Sequence, residues 1–162
     1  ASKVSSGNIS VDLRDIDLVE MINQTNGEFE EKFSEKGLSI ISNTPSSGVM
    51  IKADGRHLWR VLENLYNNAF KYAAKSSRIY IDVISDNTGA TFVIKNISEN
   101  PLNIRPDELT ERFVRGDVSR TTEGSGLGLS IAKSLTILQG GKFDIIIDGD
   151  LFKVQIKFEK VA

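Results

Sequence analysis

With 162 residues, 40% of them hydrophobic, the chain is long enough for one domain with a real core, and the absence of cysteine excludes disulfides and thiolate metal sites. A formal net charge of −2 argues against a general nucleic-acid or membrane-surface binder. No run is apolar enough for long enough to cross a bilayer, and no signal-peptide pattern opens the chain. The first residue is not methionine, so a piece of a longer protein is expected.

In chain order, Ala1 to Gly7 is small and polar and reads as a disordered lead-in; residues 8–162 read as one domain. Asn8 to Leu13 alternates apolar and polar residues, which suits a short strand. Asp17 opens a helix to about Lys36, with Leu18, Ile22, Phe29 and Phe33 as its apolar stripe and Gly37 beyond its end. The polar stretch Lys32 to Lys36 reads as a solvated helix end. Leu38 to Ser42 and Val49 to Ala53 read as strands joined by a Pro-Ser-Ser-Gly turn. Asp54 N-caps a helix to about Lys75. Arg78 to Ser85 and Thr91 to Asn96 alternate around Asp86-Asn87-Thr88-Gly89, a hairpin. Pro106 starts a short helix. After a polar stretch and a further helix, Gly140-Gly141 stops the chain, and Phe143 to Ile147 with Phe152 to Phe158 form a terminal hairpin. Antiparallel hairpins with helices grouped between them point to an α+β two-layer sandwich.

Two stretches carry candidate chemistry. On the helix from Asp54, residues Leu58, Val61, Leu62, Leu65, Ala69, Tyr72 and Ala73 share a core face, by helical arithmetic. Asn64, Asn68 and Lys71 fall in a neighbouring wedge roughly 60° wide, while Asn67 points to solvent. Two amides and an amine on one flank can hold a hydrated Mg²⁺ and neutralise phosphate oxygens, or be an ordinary polar face. Glu63 can polarise a water or a histidine nucleophile as a general base, or be a solvated glutamate. The second stretch is Gly124-Ser125-Gly126-Leu127-Gly128-Leu129, which passes directly into an apolar-periodic run, with Arg115 and Arg120 upstream. Glycines at a helix start let backbone N–H groups approach an anion, which the helix N-terminus also favours; a flexible surface loop has the same pattern.

Taken together, the motifs resemble a known family. Asn64-Leu65-Tyr66-Asn67-Asn68-Ala69-Phe70-Lys71-Tyr72 resembles the N box of sensor histidine kinases, Phe113-Val114-Arg115-Gly116-Asp117 their F box, and Gly124 to Leu129 their G2 box. The resemblance covers about Asn8 to Phe158 and implies a two-layer α/β sandwich of the GHKL ATPase (Bergerat) type, with a mixed, mostly antiparallel sheet packed on helices. It implies binding of ATP with Mg²⁺ and delivery of the γ-phosphate to a histidine on a separate dimerisation domain upstream. Asn68 then resembles the Mg²⁺ ligand, with Asn64 close to the phosphates, Lys71 on phosphate, Tyr72 beside the adenine and Arg115 at the γ-phosphate. Gly124, Ser125, Gly126, Leu127 and Gly128 resemble the backbone cradle, behind a lid from about Asp117 to Ser125. The implied partners are that dimerisation domain and a response regulator, in a homodimeric parent attached to the bacterial plasma membrane, with this domain cytoplasmic and no nucleic-acid partner.

One motif departs from the pattern. Where the family's G1 box reads Asp-x-Gly-x-Gly, this chain has Asn96-Ile97-Ser98-Glu99-Asn100. Asn96 can accept from the adenine amino group and donate to N1, but the charged acceptor, roughly twice as strong, is gone, so reduced affinity is expected. A carboxylate opposes guanine O6, whereas an amide rotates to suit either purine. Ser98 and Asn100 bring side chains to a turn expected to lie against the base. The degenerate box motivates an alternative, a nucleotide-sensing or partner-binding module with little kinase activity. A dimeric clamp ATPase is a further alternative that would need an N-terminal dimerisation arm. His57, the only histidine, lacks a phosphoacceptor context and reads as a helix-start or surface residue.

Overall fold

The computed structural model describes residues 9–102 and 127–161. The Pro106 helix, the F box with Arg115, Arg120, the lid, Gly124, Ser125 and Gly126 lie outside the described residues, as does the lead-in. In chain order the described elements are β1 (Arg14–Asp17), α1 (Leu18–Glu35), β2 (Ser39–Asn43), β3 (Met50–Ala53), α2 (Gly55–Tyr72), β4 (Arg78–Asp86), β5 (Gly89–Ile97), α3 (Leu127–Leu138), β6 (Lys142–Asp148) and β7 (Leu151–Phe158).

Five strands form a sheet in the order β2-β4-β5-β7-β6, in which only β2 and β4 are parallel; β1 and β3 form a separate antiparallel ribbon. Period-2 alternation sends Ile79, Ile81, Phe92, Ile94, Val154 and Ile156 to one face of the sheet, where they are buried in a single core with the helices. Leu18, Ile22 and Phe33 come from α1, Leu58, Leu62 and Leu65 from α2, and Leu129, Ala132 and Leu135 from α3. This is the expected α+β sandwich, with a mixed, mostly antiparallel sheet under one helical layer.

Aspartates set the helix starts. Asp17 Oδ1 accepts from the amides of Val19 and Glu20, and Asp54 Oδ1 from those of Arg56 and His57, satisfying donors that a helix leaves unpaired. Gly37, with φ of 77°, turns the chain out of α1.

Four expectations need correction. The strand expected at Asn8 to Leu13 lies further on, at Arg14–Asp17, because the partner register runs from Arg14↔Ala53 to Asp17↔Met50 and the Asp12 amide is taken by the Asp54 carboxylate. The Pro-Ser-Ser-Gly turn joins strands of two different sheets, since β2 pairs with β4 and β3 with β1. Tyr72 is 39% exposed and leaves the core face to Tyr66, which is fully buried among Phe29, Phe33 and Phe92 and whose hydroxyl donates to Asn26 at 2.5 Å. Burial alone raises the Tyr66 phenol well above its usual range. The end of α1 is a clip as well as a solvated tip: Lys32 donates to Asn67 Oδ1 at 2.7 Å and lies over the Phe70 ring, while Lys36 donates to the carbonyls of Phe70 and Lys71. Burial lowers the Lys36 pKa, assisted by Lys75 and opposed by Glu99.

Candidate nucleotide site

Two contacts fix α2 against α3. At one, the Asp54 amide donates to Gln139 Oε1 at 2.9 Å. At the other, a β-carbon on Gly128 would stand 3.7 Å from Asn64 Cβ and Cγ and 3.9 Å from Oδ1, so the first turn of α3 lies bare against the Asn64 side chain. Ten residues separate Asp54 from Asn64 and eleven separate Gly128 from Gln139. The helices are therefore antiparallel and in step over about 15 Å.

The C-terminal end of α2 is knitted to the exit of β5. The Ala74 amide donates to the Ile97 carbonyl at 2.8 Å, the Glu99 amide to the Tyr72 carbonyl at 2.9 Å, and Ala73 and Ser98 form an isolated antiparallel bridge. Ser98, one of the residues standing where the motif has glycine, is buried and turned onto its own loop. Its hydroxyl donates to the Asn100 carbonyl at 2.7 Å, and its amide to the Asp150 carbonyl at 2.7 Å. The hydroxyl thus closes a turn locally, as serine does in place of a backbone partner.

Between these fixed points lie the residues singled out by sequence. Asn64 and Asn68 are half-buried on one flank of α2, with Glu63 half-buried beside them; Lys71 is exposed, as is Tyr72. Asn67 is engaged by Lys32 and belongs to the side facing α1. Leu127 and Gly128 open α3 as described. Asn96 is 2% exposed on the helix-facing side of β5, two residues before the bridge to Ala73. Two buried side-chain amide nitrogens, Asn64 Nδ2 and Asn96 Nδ2, have no hydrogen-bond partner among the described residues.

Those two nitrogens are the feature that asks for a ligand, because buried polar groups are normally satisfied. Asn64 and Tyr72, at whose carbonyl the β5 exit is tied, are eight residues apart, about 12 Å along the helix axis. A nucleoside triphosphate is of that length, with base and phosphates at opposite ends. Among the described residues no group of three or more His, Cys, Asp or Glu side chains could hold a metal ion. A divalent ion here would take oxygen from an amide and from the nucleotide's own phosphates, which suits Mg²⁺ and the Asn68 carboxamide.

Gln139, Lys36 and the wider role of Asp54 were not anticipated. A glutamine before Gly-Gly and a lysine before Gly37 carry no local signal of these contacts, which span 85 and 34 residues. His57 lies in the first turn of α2, as expected; its side chain is 13% exposed, with Nε2 2.9 Å from the Ser10 carbonyl and 3.8 Å from Asp54.

Residues 53–160 match the family described as histidine kinase-, DNA gyrase B-, and HSP90-like ATPase. The chain is 31% identical over 154 residues to the probable sensor protein PcoS of Escherichia coli, covering 93% of this chain and 32% of that protein. It is 42% identical over 91 residues to sensor histidine kinase HprS of Escherichia coli strain K12, covering 56% of this chain and 20% of the relative. The chain spans about a third or less of the length of these curated relatives. Among solved structures, the catalytic domain of histidine kinase ThkA in a nucleotide-free form matches with TM-score 0.77 and 25% identity over 92% of this chain and 96% of that one. Full-length ShkA in complex with AMPPNP matches in fold, with TM-score 0.76 and 23% identity over 99% of this chain and 34% of that one.

Proposed function

The chain belongs to the histidine kinase-, DNA gyrase B- and HSP90-like ATPase family, and on that footing we propose that it binds Mg·ATP and delivers the γ-phosphate to a histidine on a dimerisation domain of the same protein. The observation that carries this reading is the pair of unpartnered buried amide nitrogens, Asn64 Nδ2 on α2 and Asn96 Nδ2 on β5, the strand whose exit is tied to the C-terminal end of α2. The base lies at the Asn96 end, flanked by Tyr72, and the phosphates at the Asn64 end. There Gly128 leaves room for close approach, and the backbone N–H groups of residues 124–128 take up phosphate oxygens. Lys71 and Arg115 neutralise the triphosphate, and Asn68 offers its carbonyl oxygen to the ion. Magnesium, when bound, screens phosphate charge and orients the phosphates. Glu63 polarises the attacking histidine. Transfer of this kind depends on positioning and charge neutralisation more than on covalent chemistry by the protein.

On the same reading the partners are the protein's own dimerisation domain and a response regulator, within a homodimer. This domain is then cytoplasmic, and its parent attached to the bacterial plasma membrane. No described helix is long and apolar enough to cross a membrane. Calorimetry with millimolar Mg·ATP tests the binding step. Heat of binding is expected, and Asn68→Ala is expected to weaken it about tenfold. No heat, together with an Asn68→Ala protein indistinguishable from the parent, would sink the proposal. Mixing the domain with its own acceptor-containing region and radiolabelled ATP tests transfer; saturating ATP without labelled histidine would favour a nucleotide-sensing module.

A further inference from the structure

Two buried carboxamides in this molecule are used differently. Gln139 is committed at both ends, with Oε1 accepting from the Asp54 amide and Nε2 donating to the Leu135 carbonyl at 2.9 Å. Asn96 is as deeply buried, at 2% exposure against 3% for Gln139, yet its NH₂ has no acceptor among the described residues. The Ser98 hydroxyl, two residues on, donates to the Asn100 carbonyl and accepts from the Asn100 amide at 3.3 Å, and it is no partner of the Asn96 NH₂. Among the described residues no acceptor holds the Asn96 NH₂ in one direction. A turn about Cβ–Cγ exchanges its donor and its acceptor.

We propose that Asn96 makes the base site purine-permissive, so that the domain takes 6-oxopurine nucleotides such as GTP and ITP alongside ATP. The inference rests on the nucleotide site proposed above and deepens it. With its carbonyl toward the 6-position, the amide accepts from the adenine amino group and donates to N1. Turned over, it donates to O6 of a 6-oxopurine and accepts from N1–H. Both pairings are bidentate and neutral, and both use the NH₂ that the fold leaves open. A carboxylate at the same position has acceptors only, and in the same base pose one of its oxygens would face O6.

The test compares Mg·ATP, Mg·ITP and Mg·GTP by calorimetry on the intact chain and on Asn96→Asp. ITP lacks the 2-amino group of GTP, so it reads the 6-position alone. For the parent chain the ATP and ITP dissociation constants are expected within about threefold of each other, with GTP following ITP. Asn96→Asp is expected to raise the preference for ATP over ITP about tenfold. Should the buried carboxylate prevent folding, as thermal melting would show, Asn96→Ala takes its place. That variant is expected to lose about tenfold for ATP and ITP alike. A parent chain that binds ATP and rejects ITP overturns the proposal, as does a preference unmoved by Asn96→Asp or an alanine variant that binds like the parent. Those results leave the nucleotide site standing. Failure of the parent chain to bind any of the three nucleotides instead removes the site itself.

Discussion

The two contacts that clamp α2 to α3 are made of similar polar groups and are finished differently. At the Asp54 end every polar partner is supplied by the chain. One carboxylate oxygen caps α2, the other accepts from the Asp12 amide at 2.8 Å, and the Asp54 N–H goes to Gln139. At the Asn64 end the opposing residue is a glycine, and the amide nitrogen is left open, as it is at Asn96. The contrast separates polar groups that hold the fold from polar groups that the described residues leave without a partner. On the proposed reading the unsatisfied amides mark the nucleotide site, because an amide that the fold buries and does not satisfy costs stability unless something binds it.

The comparison breaks most visibly at Asp54. Asp54→Ala removes the cap of α2 and strands the Asp12 amide, and is expected to lower the unfolding free energy by about 2–4 kcal/mol in urea denaturation. Burial pushes the Asp54 carboxyl up, but hydrogen bonds from the amides of Asp12, His57 and Arg56 and the nearby His57 ring outweigh it and hold the pKa below its ordinary value of 3.8. The folded state therefore binds fewer protons at this group than the unfolded state. Its contribution is complete above pH 3.8 and is lost as pH falls through the lower folded value. Asp54→Asn is expected to flatten that acid limb, measured as unfolding free energy between pH 5 and the acid transition; an unchanged limb would mean that other carboxylates set it.

A smaller break is expected across the same contact. Gln139→Leu keeps the side chain's bulk and leaves the buried Asp54 N–H without an acceptor, for an expected loss of about 1–3 kcal/mol. Nucleotide affinity of the folded variant should be unchanged, since Gln139 lies at the far end of the helix pair from Asn64. A loss of affinity with full stability would invert the assignment of the two ends.

What the sequence made legible was local. Asp17 and Asp54 sit before runs of helical period, so both helix starts could be read, and Asp86 to Gly89 marked its hairpin by turn chemistry. Helical arithmetic also put Asn64, Asn68 and Lys71 on one flank, because that needs only 100° per residue. The same arithmetic misjudged Tyr72, since an angle does not say where the core ends; α2 ends at Tyr72, and the chain turns there to meet the exit of β5. Alternation in Asn8 to Leu13 failed for a related reason. A strand needs a partner in register, and the pattern is blind to whether the partner is there. Lys36 read as solvated because it is charged, whereas its amine satisfies carbonyls at the C-terminus of α2, a contact set by packing between helices. Gln139 and Asn96 are both single amides near element ends, and only the packed structure shows that one is satisfied and the other is not.

The smallest expected change in stability is the sharpest test of the contrast. Asn64→Leu replaces a half-buried amide by an apolar side chain of similar length, removing a buried NH₂ that has no partner among the described residues. Nothing the fold uses is lost, so the unfolding free energy is expected to stay within about 0.5 kcal/mol of the parent or to rise. Gly128 offers the space, since even an added β-carbon there would stay 3.7 Å from Asn64. Mg·ATP affinity is expected to fall about tenfold, because the variant cannot donate to phosphate or to a bridging water. Stability and binding therefore move apart at Asn64, whereas at Gln139 stability falls and binding stays. If Asn64→Leu instead unfolds as readily as Gln139→Leu, its amide has a structural partner and the two ends are the same kind of contact. If it keeps both its stability and its affinity for Mg·ATP, the phosphates do not lie against this flank.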